Sequence, residues 1–268
     1  MLEIFQYGFV LRGFEAGLIV AFIAPLIGIF LVLRRYSLIA DTLAHVSLAG
    51  IALGIWLGIN PVLSALGVTI LSSLGIERLR ERRRIYGESA LALFLSGSLA
   101  IATVLLSLGK GFNTQILNYL FGSILTVTQM DVYVMAVLAL VVAGLTFLFF
   151  KELVYISFDE DSARVAGIPV RLINTILIVL AALTISLAIP VVGVLLIAAL
   201  IVIPVITALS LGVSFLHTII YAEIISIVSV LSGIYASFYL DLSAGGTIVI
   251  IMLLVFSLVQ MFTRRFSS

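Results

Sequence analysis

Nine long apolar stretches follow one another along the chain, separated by short polar segments. A helix needs about 20 mostly apolar residues to cross the roughly 30 Å hydrocarbon core of a bilayer. Hydrophobic residues make up 63% of the chain and charged residues only 10%, whereas soluble domains carry about 25% charged residues. The sequence therefore predicts an all-α, polytopic membrane helical bundle of about eight or nine transmembrane helices, forming a single domain over residues 1–268.

The predicted spans can be placed by their apolar residues, and prolines mark two of them. Asn60 and Pro61 form a turn that joins the short third span to the second as a helical hairpin, because proline begins a helix more readily than it continues one. Pro25 and Pro204 fall inside the first and seventh spans, where kinks are expected. The predicted bounds are 13–33, 38–58, 61–76, 89–108, 131–150, 172–189, 191–211, 218–240 and 246–262.

Lysine and arginine are distributed unequally between the two sides of this predicted bundle. If the N-terminus lies outside, two basic residues, Arg12 and Lys110, fall in outer segments, and the other twelve fall in inner ones. Cytoplasmic loops carry an excess of lysine and arginine. The sequence therefore predicts a multi-pass protein of the inner (plasma) membrane, with the N-terminus outside and the C-terminus in the cytoplasm.

Asp41 and His45 lie four residues apart inside the second apolar stretch, so they share one helix face. His45 is ten residues beyond Arg35, or about 15 Å deeper at 1.5 Å per residue. An ionisable side chain at that depth costs at least about 2.5–3.5 kcal/mol on insertion scales. An imidazole with a carboxylate suits Zn²⁺ or Mn²⁺. An internal Asp–His pair that only holds helices together is an alternative of equal weight.

Other residues in the spans are weaker candidates. Gly50, Gly54 and Gly58 form a stripe of small residues that permits close helix packing, so the second span is expected inside the assembly. Glu223, within the eighth span, is a second metal candidate, although pairing with a neighbouring helix explains it better. With no cysteine in the chain, thiolate metal sites and disulfides are excluded.

Two segments between spans differ from ordinary loops. Residues 109–130 mix polar and apolar side chains, which is typical of an interfacial helix or a partly re-entrant segment at the outer face; a helical loop resting on the bilayer is the alternative. In the inner segment 155–171, Ser157 and Glu160 match a capping box, and Gly167 matches a helix stop. A helix over 158–166 is predicted there, either docking a soluble partner or merely connecting two spans.

Five segments together resemble a known family, in the right order over nearly the whole chain. The segments "FLVLRRYSLIADTLAHVSLAGIALG", "LNYLFGSILTVTQMD", "FDEDSARVAGIPV", "VVGVLLIAALIVIPVITA" and "DLSAGGTIVII" resemble the successive signatures of the zinc/manganese ABC-importer permease family. Within that family, "ADTLAHVSLAGIALG" and "NYLFGSILTVT" look closest to zinc permeases, and manganese permeases share the same scaffold.

The resemblance implies a fold, partners and roles for particular residues. Members pair as two permease copies, a homodimer in this case, with two cytoplasmic ATP-binding subunits, and receive metal from an extracytoplasmic metal-binding protein. Asp41 and His45 match the family's polar pair implicated in metal passage. The implied cargo is transported Zn²⁺, with Mn²⁺ second, and no cofactor or nucleic acid is expected. The coupling helix that seats in the ATPase matches Ser157, Asp159, Glu160, Ala163, Ala166 and Gly167.

Energy for such transport must come from another chain. The Gly109–Lys110 pair is followed by Gly111 and lacks the earlier glycine of a phosphate-binding loop, so the chain is not predicted to be an enzyme. The rival hypothesis is a secondary transporter or channel driven by an ion gradient, in which Asp41 and Glu223 relay protons. That class predicts two halves of inverted topology, which nine spans do not readily supply.

Overall fold

A computed structural model describes residues 8–81, 87–108, 114–123 and 127–266, and these ranges form twelve α-helices and no β-strand. The all-α prediction is therefore confirmed. Lys110 and Arg82–Arg84, which contributed to the predicted topology, lie outside the described residues. The helices are α1 Gly8–Leu33, α2 Ser37–Leu57, α3 Pro61–Glu81, α4 Gly87–Leu108, α5 Thr114–Phe121, α6 Gln129–Leu148, α7 Phe150–Phe158, α8 Glu160–Val165, α9 Val170–Val192, α10 Ile197–Leu209, α11 Phe215–Leu240 and α12 Ala244–Phe266.

Eight of the described helices are long and apolar enough to cross a membrane: α1, α2, α3, α4, α6, α9, α11 and α12. Each corresponds to one of the predicted spans. The third span is longer than predicted, because α3 begins at Pro61 and continues for 21 residues to Glu81. The predicted multi-pass membrane bundle is confirmed.

The seventh predicted span, 191–211, is wrong as a full-length helix. α9 runs through Pro190 to Val192, and α10 then covers only 13 residues, Ile197–Leu209. Such a helix is about 20 Å long, which is shorter than the hydrocarbon core of a bilayer. The chain leaves the helical conformation at Gly193, whose φ is +86°. Hydropathy alone did not detect this break, since residues 193–196 are as apolar as the helices on either side.

The backbone that follows Gly193 is used to hold α5 in place. Val194 donates its N–H to the carbonyl oxygen of Tyr119 at 2.9 Å, and Leu195 donates to that of Leu120 at 3.2 Å. Ser123 donates in the other direction, to the carbonyl oxygen of Pro190 at 3.2 Å. α5 pairs with the broken end of a span and packs against α9 and α12, so the described part of segment 109–130 is attached to the bundle. The interpretation of the segment as interfacial or partly re-entrant stays a prediction.

The interior of the bundle consists of α1, α2 and α9, in each of which about three quarters of the most apolar window is buried (72%, 72% and 78%). By contrast, α4 and α12 are largely exposed and form the periphery. Pro25 lies within α1 and Pro204 within α10, as predicted. The interior position of α2 was also predicted, so the helix that carries Asp41 and His45 is a central element of the fold.

One end of the bundle collects the basic side chains. The rings of Phe30, Phe150 and Phe215 lie about 6 Å apart, which places the end of α1 beside the starts of α7 and α11. The α1–α2 corner and α8 lie at the same end, since Arg34 contacts Glu160 there. We call this end the basic end. Its described basic residues are Arg34, Arg35, Arg78, Arg80, Lys151, Arg164 and Arg171.

Candidate functional site

Asp41 and His45 project from the same face of α2, as the spacing predicts. Nε2 of His45 lies 3.7 Å from Oδ1 of Asp41, which is longer than a hydrogen bond between nitrogen and oxygen. Nδ1 of His45 is buried and has no hydrogen-bond partner among the described residues. The two side chains therefore face each other without a hydrogen bond between them, and both the metal-site and the structural interpretation stay predictions.

The exposure of the two side chains indicates where they point. The Asp41 side chain is 47% exposed and the His45 side chain 15% exposed, although neighbouring residues Thr42, Leu43 and Ala44 are buried. Asp41 therefore faces a space that the rest of this chain leaves open. His45 is eight residues into α2, or about 12 Å from its start, so the opening reaches well into the span.

The glycine stripe on α2 has two different roles. A Cβ at Gly50 would lie 2.6 Å from the Cα of Ala65, and one at Gly54 would lie 2.8 Å from the Cα of Pro61. These glycines therefore let α3 pack closely on α2, and the close packing predicted for them is confirmed. Gly58 differs: a Cβ built there would meet no neighbouring helix within 4 Å among the described residues, and its φ of +70° ends α2 in the left-handed region. Its role is in the turn, and packing was the wrong prediction.

Glu223 is not brought to the Asp41–His45 pair. It lies on α11, and α10 packs against both α11 and α2. Within the described ranges there is no group of three or more histidine, aspartate and glutamate side chains that could hold a metal ion. Neither carboxyl oxygen of Glu223 has a hydrogen-bond partner among the described residues, so pairing with a neighbouring helix is not seen either. Glu223 as a metal ligand stays a prediction.

The segment predicted as a helix over 158–166 is divided in two. α7 continues to Phe158, and α8 covers Glu160–Val165. The capping box of Ser157 and Glu160 is wrong: the Ser157 hydroxyl donates to the carbonyl oxygen of Leu153 within α7. Asp159 caps α8 instead, and its Oδ1 accepts the backbone N–H of Ser162 at 2.9 Å. Several polar residues in this stretch could cap a helix as far as the sequence shows. Asp159 is the one that does so, because the break between α7 and α8 falls at this residue.

The exposed surface of this segment also differs from the prediction. Ala163 is fully buried within the chain, so it is not a contact for another protein. Ala166 is exposed, and Val165 is 91% exposed. Gly167 has a φ of +83°, which confirms the predicted left-handed helix end. We call residues 157–167 the coupling segment.

An ion-paired network joins the coupling segment to the bundle, and the sequence did not reveal it. Arg34 donates to Asn174 and to Glu160, and the Arg34 and Arg80 guanidiniums lie 4.9 and 4.4 Å from the Tyr36 ring. Burial raises the pKa of the Tyr36 hydroxyl, and the two arginines partly offset this effect. In the sequence, Arg34 contributes only to the predicted topology. Its position at the end of an apolar stretch does not indicate that it contacts Asn174 and Glu160.

Comparison with known proteins identifies the family. The sequence matches the ABC 3 transport family over residues 6–263, nearly the whole chain. The chain belongs to the ABC 3 transport family. An ABC 3 relative from Treponema pallidum, named a "probable metal transport system membrane protein", is 37% identical over 97% of this chain and 99% of its own length.

Other ABC 3 relatives carry more specific names. The manganese transport system membrane protein MntC of Listeria innocua is 29% identical, with 97% of this chain and 92% of its own covered. The high-affinity zinc uptake system membrane protein ZnuB of Haemophilus influenzae is 28% identical, with 93% and 95% covered. The solved structure of PsaBC from Streptococcus pneumoniae, in complex with Fab, superimposes with a TM-score of 0.86 at 27% identity, covering 96% of this chain and 92% of its own.

Family membership and the bundle together define the kind of molecule. This ABC 3 chain is a multi-pass permease subunit of an ABC transporter, that is, a transport component rather than an enzyme.

Proposed function

We propose that this permease belongs to an importer that carries a divalent transition-metal ion into the cytoplasm, with ATP hydrolysed by separate subunits. The observation that carries the proposal is the open Asp41–His45 pair on an interior helix of an ABC 3 chain. Imidazole nitrogen and carboxylate oxygen are ligands for Zn²⁺ and also suit Mn²⁺. The ion is the transported substrate, not a resident cofactor.

Zinc is the first choice for the cargo and manganese the second. The donor set fits both ions, and the zinc and manganese relatives are almost equally similar to this chain, at 28% and 29% identity. The preference for zinc rests on the resemblance of the segments around Asp41 and Tyr119. Direct competition between the two ions in transport decides it.

A second copy of the permease would complete the site. One chain offers one imidazole and one carboxylate on an open face, whereas a tetrahedral zinc site has four ligands. Closed two-fold dimers are the commonest homo-oligomers, and two copies of the pair meeting at such an axis would supply four donors. The open face of Asp41 supports this arrangement, because the described residues leave 47% of its side chain exposed.

The basic end is proposed to face the cytoplasm and to dock the ATP-binding subunits through the coupling segment. The positive-inside rule supports this orientation. α1 begins at the opposite end, so in this proposal the N-terminus lies outside, on the side of the extracytoplasmic metal-binding protein. α12 runs antiparallel to α11, whose start is at the basic end, so the C-terminus would lie in the cytoplasm.

Reconstitution tests the proposal. The permease, its ATP-binding subunit and its metal-binding protein are placed in vesicles containing a fluorescent chelator, with ATP supplied at the basic end. We expect uptake of zinc, and of manganese more slowly, that requires hydrolysable ATP. Uptake that needs no ATP and follows an imposed proton or sodium gradient would support a secondary transporter and overturn the proposal.

A further inference from the structure

Arg34 connects three parts of the chain at the basic end. Its side chain is only 5% exposed. Nη1 donates to Oδ1 of Asn174 in α9 at 2.7 Å, and Nη2 donates to Oε2 of Glu160 in α8 at 2.8 Å. Hydrogen bonds from a guanidinium to a carboxylate are among the stronger ones in proteins. A single side chain thus joins the end of α1 to residues 126 and 140 positions away.

The turn that contains Arg34 is followed directly by α2, the helix that carries Asp41 and His45. Arg35 has a φ of +58°, and Tyr36 donates its N–H to the carbonyl oxygen of Leu31 at 2.7 Å, so the turn between α1 and α2 is tight. α2 begins at Ser37, and Asp41 follows within its first turns. Because this turn is short and hydrogen-bonded, a displacement of Arg34 would also displace the start of α2.

Glu160 has a second partner, whereas among the described residues no second carboxylate pairs with Arg34. Oε1 of Glu160 lies 3.1 Å from Arg164 within α8 itself, so Glu160 stays paired if α8 moves away from Arg34. Arg34 would then be left as a buried charge without its counterion, which is strongly unfavourable. A cavity of about 580 Å³, bordered by Glu160, Arg164 and Asn174, gives the side chains room to rearrange.

We propose that Arg34 is a positioning residue of the transport cycle: through Glu160 and Asn174, it passes the displacement of α8 to the start of α2 and so to Asp41 and His45. This inference rests on the proposed function, because it needs an ATPase that moves the coupling segment. It adds the physical connection between that segment and the site, which lie in parts of the sequence more than a hundred residues apart.

A double-mutant cycle in the reconstituted complex tests the connection. The variants are Glu160→Gln, Arg34→Gln and the two combined, and the readout is metal moved per ATP hydrolysed, with ATP hydrolysis and assembly measured separately. Arg78→Gln is the matched control, because it removes an exposed guanidinium of α3 at the basic end, outside the coupling segment and the α1–α2 corner. Coupling between two sites is commonly worth about 5- to 150-fold.

We expect Glu160→Gln and Arg34→Gln each to lower metal moved per ATP by a factor in that range while hydrolysis continues. The combined variant should be no worse than Arg34→Gln alone, since that substitution already breaks the contact with Glu160. Arg78→Gln should resemble the wild type. Should Arg34→Gln fail to assemble, Glu160→Gln, at a half-exposed position, decides alone against its control.

Two results would overturn the inference: normal coupling in Glu160→Gln, or equal losses in Glu160→Gln and Arg78→Gln. A merely structural role of the Arg34–Glu160 contact would lower assembly and ATP hydrolysis together and leave the metal moved per ATP unchanged. That result would also overturn the inference. Failure of the proposed function looks different, because the wild-type complex itself would then move no metal.

Discussion

Nε2 of His45 and Oδ1 of Asp41 lie 3.7 Å apart on one face of α2, close enough to hold a common ion and too far apart to satisfy each other. The imidazole also has a buried Nδ1 without a hydrogen-bond partner in the described part of the chain. Unsatisfied polar atoms inside a membrane protein are costly, and their retention at this position favours a role in passage over one in folding.

Asp41→Asn and His45→Gln should each lower metal uptake by more than about tenfold, since even the partners of metal ligands are worth 10- to 100-fold. Both substitutions keep size and polarity, so thermal stability of the purified complex should change little. Glu88→Gln, at an exposed carboxylate of the peripheral helix α4, is the control and should transport normally. Normal uptake with lower stability in the two variants would make the pair structural.

Glu223→Leu should raise stability and lower transport. Both Glu223 oxygens are buried without a hydrogen-bond partner among the described residues, and such a group costs about 1–3 kcal/mol when left unsatisfied. A destabilising group that is retained is typical of a functional site. Thermal unfolding and metal uptake of the variant check the two halves separately. A drop in stability would mean that Glu223 has a partner in the assembled protein.

Gly167→Val should uncouple ATP hydrolysis from transport. The φ of Gly167 is +83°, and a Cβ built there would meet no described atom of a neighbouring element within 4 Å. The effect of a β-branched residue at this position therefore comes from backbone strain, which is about 1–3 kcal/mol. Gly212→Val is the matched control, since Gly212 also has a positive φ, +65°, and open space around it. Equal metal-to-ATP ratios in the two variants would remove the end of α8 from the mechanism.

Gly50→Ala should destabilise the protein, because its Cβ would press on the backbone of Ala65 in α3. A Cβ built at Gly67, within α3, would meet no described atom of another helix within 4 Å. Gly67→Ala should therefore be neutral or stabilising by up to about 1 kcal/mol. Thermal unfolding of the two variants in the same detergent gives the comparison. If Gly50→Ala were as stable as Gly67→Ala, the α2–α3 contact would be looser than the structure describes.

The cap of α8 should depend on pH. Hydrogen bonds from the Ser162 hydroxyl and backbone N–H lower the pKa of Asp159. Because an aspartate in an unfolded chain has a pKa of about 3.9, the stabilisation is complete above that pH and is lost as the pH falls through the lower pKa of the folded state. Hydrogen exchange of the Ser162 amide measures it. Asp159→Asn should cap equally well and remove the pH dependence.

Much of the bundle could be predicted from the sequence because the relevant signals are local. The length of an apolar run decides whether a helix crosses a bilayer, and a spacing of four residues decides that Asp41 and His45 share a face. The left-handed end at Gly167 is local in the same sense, since it needs only a residue without a Cβ. These features come from the residues themselves and survive any arrangement of the helices.

Tertiary structure alone decided the features that depend on partners far along the chain. The helix of the seventh span begins late, at Ile197, because the backbone after Gly193 pairs with that of Tyr119 and Leu120. The contact of Arg34 with Glu160 crosses 126 residues, and helix packing decides which carboxylate a buried guanidinium meets. Local sequence specifies which groups need partners; the packing of the whole bundle specifies which partners they find, because only there are distances between distant residues set.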